Sequence, residues 1–213
     1  NYIFLSSMKV LKKFAHIFLL NRVIWLLTFS DIFSWGLFLS ITSLIGIYIS
    51  NKLNYNATEV VGTGVALSYL IRGVAQIPIG LITDDIKRDR DDILVLVAGS
   101  LMMGLPFLFY PLIVSPIAFY ILHSIFGLGT AMNLVTWRKL FAKNLDKGKE
   151  GFSYAVYDTL ISIAIALFSF VAGIVASSGE ELFDIVVIGI GIVIMSSSIL
   201  PALVFDVKNR RSN

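Results

Sequence analysis

The stretch 93–114, ILVLVAGSLMMGLPFLFYPLIV, decides the fold. It holds no charge over its 22 residues. A helix of that length rises about 33 Å, enough to cross a hydrocarbon core of about 30 Å. The strict apolar–polar alternation of a barrel strand is absent. Lys87, Arg88 and Arg90 precede the run, and Ser115-Pro116 follows it. Proline at the first helical position predicts that a second helix starts there.

Outward from this run the same pattern recurs. Apolar stretches over 23–50, 57–82, 116–137, 151–176 and 182–207 each predict a membrane-spanning helix. Asn56, with Glu59 three residues later, forms a capping signal before the second span. Gly179 breaks the chain after the fifth, and Glu180 and Glu181 open the sixth. The predicted class is all-α, a polytopic bundle of six transmembrane helices.

The basic residues thread these spans. Fifteen of the seventeen Lys and Arg fall in four stretches: Lys9 to Arg22, Lys87 to Arg90, Arg138 to Lys149 and Lys208 to Arg211. The other turns carry only Lys52, and Arg72 lies inside an apolar run. Cationic connections stay on the cytoplasmic side, so the expected topology has both termini in the cytoplasm of a plasma (inner) membrane protein. Residues 1–22 are then a cytoplasmic segment, 23–207 the bundle and 208–213 a cytoplasmic basic tail. Within the first segment, residues 8–20 set Val10, Phe14, Ile17 and Phe18 on one side and Lys9, Lys12 and Lys13 elsewhere, the pattern of a helix lying on the inner membrane surface. The first span is too long for a cleavable leader, and Met8-Lys9 reads as a natural start.

Composition excludes several functions. The chain is 57% hydrophobic and 15% charged, too few charges to cover a water-facing surface, so lipid covers most of it. The basic clusters face anionic headgroups, and no nucleic-acid partner is expected. There is no cysteine, hence no disulfide or thiolate metal site. Two histidines, no Gly-x-Ser-x-Gly elbow, no His-Glu-x-x-His pair and no phosphate loop argue against an enzyme or an ATP-driven pump. No cofactor is expected.

Charges inside hydrocarbon cost at least ~2.5–3.5 kcal/mol on insertion scales and default to functional candidates. Asp31 lies about 12 Å from the inner edge of its span, Arg72 about 15 Å and Asp158 about 10 Å, at 1.5 Å per residue. Asn133 sits about one turn from the inner end of the fourth span. Matched depth and opposite sign predict that Asp31 or Asp158 neutralises Arg72, either as a structural ion pair or as a proton-coupled switch. His123, in the outer half, titrates near pH ~6.5 when unperturbed and suits a proton relay, or else a hydrogen bond between helices. Trp25 and Trp137 fall near the inner interface, a common anchor position, and Trp35 lies deeper as a cavity-lining candidate. Gly62, Gly64, Gly99, Gly104, Gly127, Gly129, Gly189 and Gly191 provide places where helices approach closely.

Three motifs carry a family resemblance. Gly80-Leu-Ile-Thr-Asp84-Asp-Ile-Lys-Arg88-Asp-Arg90 resembles the Gly-x-Leu-Ala-Asp-Arg-x-Gly-Arg-Arg loop of the major facilitator superfamily. Gly80, Asp84 and Arg88 match; Asp85 and Lys87 depart from it. His123-Ser-Ile-Phe-Gly127-Leu-Gly129-Thr-Ala131 resembles the family's Arg-x-x-Gln-Gly-x-Gly-x-Ala, with both glycines and the alanine in place. Lys149-Glu-Gly151 echoes the Arg-Gly at the entry to span five. The fifth-span antiporter pattern is missing apart from Gly173. The resemblance covers about 21–207 and is closest to the N-terminal half of a family member. It implies two inverted three-helix repeats and a second six-helix bundle, either a homodimer partner or a missing half. It further implies a small-molecule solute as substrate, protons as a candidate coupling ion, and a conformational gate at Gly80, Asp84, Arg88 and Arg90. The competing reading is a non-transporting membrane scaffold or receptor that keeps the same bundle.

Overall fold

The structure, a computed structural model, describes residues 20–53, 57–85 and 89–204. Nearly all of the expected surface helix, the Asn56 cap, Arg88 and the basic tail lie outside them. Among the described residues there are helices and no strands. Six are long and apolar enough to cross a membrane: α1 (Arg22–Leu53), α2 (Ala57–Asp85), α3 (Asp89–Leu112), α4 (Pro116–Lys143), α5 (Glu150–Ala176) and α6 (Glu180–Ser197), the last followed by a short turn, Ile199–Ala202.

Local chemistry sets the ends. The Ser115 hydroxyl accepts the Ala118 amide at 3.3 Å and Pro116 takes the first helical position, so α4 starts where the sequence places it. At the basic end α2, α3 and α4 run beyond the expected hydrocarbon limits, because charged side chains leave the membrane while the helix continues. The sixth span, expected over 182–207, is interrupted for one residue at Ser198 and helix resumes at Ile199–Ala202; residues 205–207 lie outside the described residues. At the interruption Ser197 and Ser198 donate to the Ile194 and Met195 carbonyls at 2.7 and 2.6 Å, and Pro201 withdraws an amide three residues after Ser198. One turn of α1, Ile32–Gly36, is wound as a π-helix.

The packing has the expected twofold pattern. α2 lies along α4 and α5 along α1, while α3 and α6 pack on each other and α3 on α4. Each three-helix set thus lays its second helix on the first helix of the other set. Glycine makes the closest crossings possible. A methyl group on Gly127 would sit 2.5 Å from the Ser68 carbonyl oxygen of α2, and one on Gly104 would sit 2.5 Å from the Gly191 carbonyl oxygen of α6. Gly62 and Gly189, by contrast, face open space and seal no crossing.

Two apolar clusters fill the interior. One, toward the end away from the basic residues, gathers Ile41, Tyr48, Phe107, Tyr110, Phe119 and Phe126. The other, at the basic end, joins Leu27, Ile93, Leu96, Trp137, Leu140 and Phe141. Cover is uneven. Of the most apolar window of α2 only 6% is buried, and of α5 11%, against 39–50% for the other four spans. The two bare helices flank α1 and α4 on one side of the bundle.

Candidate substrate and coupling site

The polar residues at membrane depth gather around α1 and α4. Asp31 is 3% exposed and sits at the last turn before the π segment. The Tyr157 hydroxyl of α5 donates to its carboxylate. Arg138, exposed at the basic end of α4, is near enough to act electrostatically on both groups.

The expected neutralisation of Arg72 by Asp31 or Asp158 is not formed. Among the described residues no carboxylate lies within ion-pair distance of Arg72. Its guanidinium instead lies over the Tyr69 ring, 4.3 Å from the centroid. Tyr157 occupies Asp31, and Asp158, the next residue along α5, is turned about 100° away and stands exposed. Equal depth along the membrane normal carries no information about the direction a helix face points.

Arg72 opens into a crevice between α1, α2 and α4, lined by Trp35, Phe38, Ser68, Tyr69, Phe126 and Thr130. Trp35 takes the deep lining position expected of it. Its indole donates to the Asn133 side-chain oxygen at 3.0 Å; the Asn133 amide donates to the Ser100 hydroxyl at 3.0 Å; Ser100 donates to the Leu96 carbonyl at 3.0 Å. A buried amide needs such partners, and this chain fixes both Asn133 and the indole. Trp137 departs from expectation. It is 5% exposed, stacks on Phe141 and donates to the Leu27 carbonyl at 3.0 Å, so it is a core residue and not a lipid anchor. Trp25 is half-buried and stacks on Phe29.

His123 lies apart from this group, in the cluster at the far end. Its Nε2 is 2.9 Å from the Tyr110 hydroxyl, its ring packs 4.2 Å from the Phe119 centroid, and its Nδ1 has no partner. The geometry is that of a hydrogen bond between α3 and α4. In the same motif Gly127 abuts α2, Gly129 abuts α3 at Met102 and Met103, and Ala131 is fully buried. These three residues seat α4 between its neighbours.

A charge cluster closes the basic end. Lys139 of α4 donates to Asp92 at 3.0 Å and to the Thr83 carbonyl, and lies 3.7 Å from Asp84. Lys143 reaches Asp89 at 3.3 Å and Asp92 at 3.5 Å. The Asp92 side chain is wholly buried, whereas that of Asp84 is 77% exposed. Gly80 meets Val135 at ordinary contact distance, so a methyl group would fit there. Arg90 is exposed in the first turn of α3. Asp92 and Lys139 hold the three helix ends together, and sequence reasoning passed over both as partners for each other. A signal existed: Asp89 and Asp92 are three apart, and Lys139 and Lys143 four apart, so each pair shares a helix face. No comparable signal marks Tyr157.

Comparison with known families gives one result. The Major Facilitator Superfamily model matches residues 24–212. No curated protein and no solved structure matches the chain.

Proposed function

The chain belongs to the Major Facilitator Superfamily, an integral multi-pass membrane transporter of that type, and from this premise we propose that it forms one half of a secondary active transporter working by alternating access. Its substrate is a small solute, held between this bundle and a second six-helix bundle. The protein resides in the plasma membrane with both termini cytoplasmic, as the basic clusters favour.

One observation carries the reading. α2 and α5 are nearly bare, and the bare side of α5 presents Asp158, Thr159 and Ser162 at membrane depth. Hydrocarbon is a costly neighbour for such a row. A facing bundle, with a water-filled cavity between, satisfies it; lipid does not. A scaffold has no need of this polar face.

Within the site, Asp31 and Tyr157 link α1 to α5, and Asp158 is the exposed carboxylate beside them. In our reading Asp31 takes and releases the coupling proton. Loss of the Tyr157 hydrogen bond on protonation frees α5 to move against α1. His123 relays protons at the far end. Asn133 holds Trp35 against the solute, and Arg72 faces the same space. Gly80, Asp84, Arg88 and Arg90 form the gate on the cytoplasmic side, with Asp84 exchanging Lys139 for a partner in the second bundle as the halves rock.

The test uses the absence of native cysteine. Thr159→Cys and Ser162→Cys, each introduced singly in membranes, are expected to react with an impermeant maleimide, and Leu101→Cys on α3 and Ile192→Cys on α6, both exposed apolar positions, are not. Equal inertness of all four overturns the cavity and with it the transporter reading. Proton flux into dye-loaded liposomes is expected to fall in Asp31→Asn and Asp158→Asn; unchanged flux in both removes them from coupling.

A further inference from the structure

Arg72 is a fixed cation near mid-membrane whose counter-charge the described bundle does not supply. The nearby carboxylates are committed or turned away: Asp31 accepts from Tyr157, and Asp158 stands on the far, exposed side of α5. No carboxylate reaches the guanidinium. A permanent charge cannot titrate away its burial, since arginine stays protonated throughout the accessible range. Such a residue persists where an anion visits it.

The surroundings specify that anion further. Around the guanidinium stand Trp35, Phe38, Tyr69 and Phe126, with the hydroxyls of Ser68 and Thr130. The Tyr69 ring lies under the guanidinium face at 4.3 Å, which leaves the N–H edges for a planar acceptor. Trp35 is immobilised by Asn133 at 3.0 Å and Phe38 packs 4.4 Å from Phe126, so the aromatic wall is preformed. The crevice itself offers only about 10 Å³, the room of about one water and far below the roughly 300–1,000 Å³ of sites that swallow a whole drug-sized ligand. It therefore admits no more than a small anionic group at its mouth, and the body lies on the open side of the bundle.

We infer that Arg72 is the anion-binding residue of the solute site and that the solute is an organic carboxylate with an aromatic or similarly flat apolar body. The inference rests on the transporter reading above and names its substrate class. The carboxylate pairs with the guanidinium edge and the ring of the solute lies against Trp35 and Tyr69; the Ser68 and Thr130 hydroxyls donate to the Val65 and Gly127 carbonyls at 2.8 Å, so the guanidinium is the donor that the anion meets.

The full chain in lipid nanodiscs is examined by equilibrium binding of benzoate, 2-naphthoate and indole-3-acetate, each beside its neutral amide. The carboxylates are expected to bind about 10–100-fold more tightly than the amides, the worth of a charge-assisted hydrogen bond. Arg72→Gln is expected to bring that ratio to about one, and Arg72→Lys to retain part of it. Arg72→Gln is also expected to keep its thermal midpoint, or raise it, because it removes an uncompensated charge. A midpoint lower by ~10 °C or more means that a protein carboxylate was the partner, and overturns the inference. An equal preference in Arg72→Gln and the parent chain places the anion elsewhere, and equal affinity for acid and amide removes charge recognition altogether. Competition by chloride as effective as that by benzoate reduces the site to a bare-anion site. Each of these results leaves the maleimide pattern on α5 untouched, so the inference can fail while the transporter reading stands.

Discussion

α5 and α4 are opposites in a way that hydropathy does not anticipate. The best apolar window of α5 has a mean hydropathy of 2.5, the highest of the six, yet 11% of it is buried. That of α4 has 1.4, the lowest, and 44% is buried. In water this order would be reversed. In a bilayer the lipid tails are as apolar as leucine, so greasiness does not decide which helix goes inside. Small residues and satisfied polar groups do. α4 has Gly127 and Gly129 at its crossings and Asn133, Trp137 and Lys139 bonded to neighbouring helices. On its bare side α5 exposes Asp158, Thr159 and Ser162.

The contrast can be broken experimentally, most forcefully at the charge cluster. Asp92→Ala leaves two lysines without their shared buried carboxylate and is expected to destabilise the chain by ~3 kcal/mol in denaturant titrations in micelles. Asp84→Ala, at an exposed pair, is expected to change stability by less than ~0.5 kcal/mol. Comparable losses would mean that exposure does not grade these pairs. Next in size is the glycine crossing. Gly127→Val is expected to cost ~2–3 kcal/mol by forcing α2 and α4 apart, while Gly62→Val, on the bare side of α2, is expected to stay within ~0.5 kcal/mol. Smaller again is Trp35→Phe, which strips one hydrogen bond from Asn133 and is expected to cost ~1 kcal/mol in the same titration. The smallest effect is expected at Asp158→Ala, below ~0.5 kcal/mol for the chain alone. A cost above that would show that α5 is already covered and would end the comparison with α4.

The sequence carried the architecture well and the contacts poorly. Six long apolar runs, with basic clusters at alternate connections, gave the spans to within a few residues, because length and composition are properties of each segment by itself. The one-residue interruption of the sixth span at Ser198 was not legible, because a local hydrogen-bond competition at a serine pair is averaged away by hydropathy. The depth of Asp31, Arg72 and Asp158 could be counted, but which way each pointed depended on how α2 and α5 lean on their neighbours. That is a three-dimensional fact, and it moved Arg72 from a carboxylate to the Tyr69 ring. Trp137 was read by depth as an interfacial tryptophan; its hydrogen bond to the Leu27 carbonyl and its stacking on Phe141 place it in the core. The aspartates and lysines that tie α3 to α4 were readable as pairs on one face, but only once those faces were known to meet.

The wide turn at Ile32–Gly36 adds a last consequence. It stores one surplus residue within α1, directly between the carboxylate of Asp31 and the wall at Trp35, and it leaves the Ser34 hydroxyl without a partner. Rewinding that turn to ordinary pitch would swivel the upper half of the rod by about 100° relative to the lower half, and would carry Ile41 and Tyr48 out of their apolar cluster and Tyr48 off Asp184 of α6. The rod would act as a crankshaft, translating an event at its base into a sweep of the indole above.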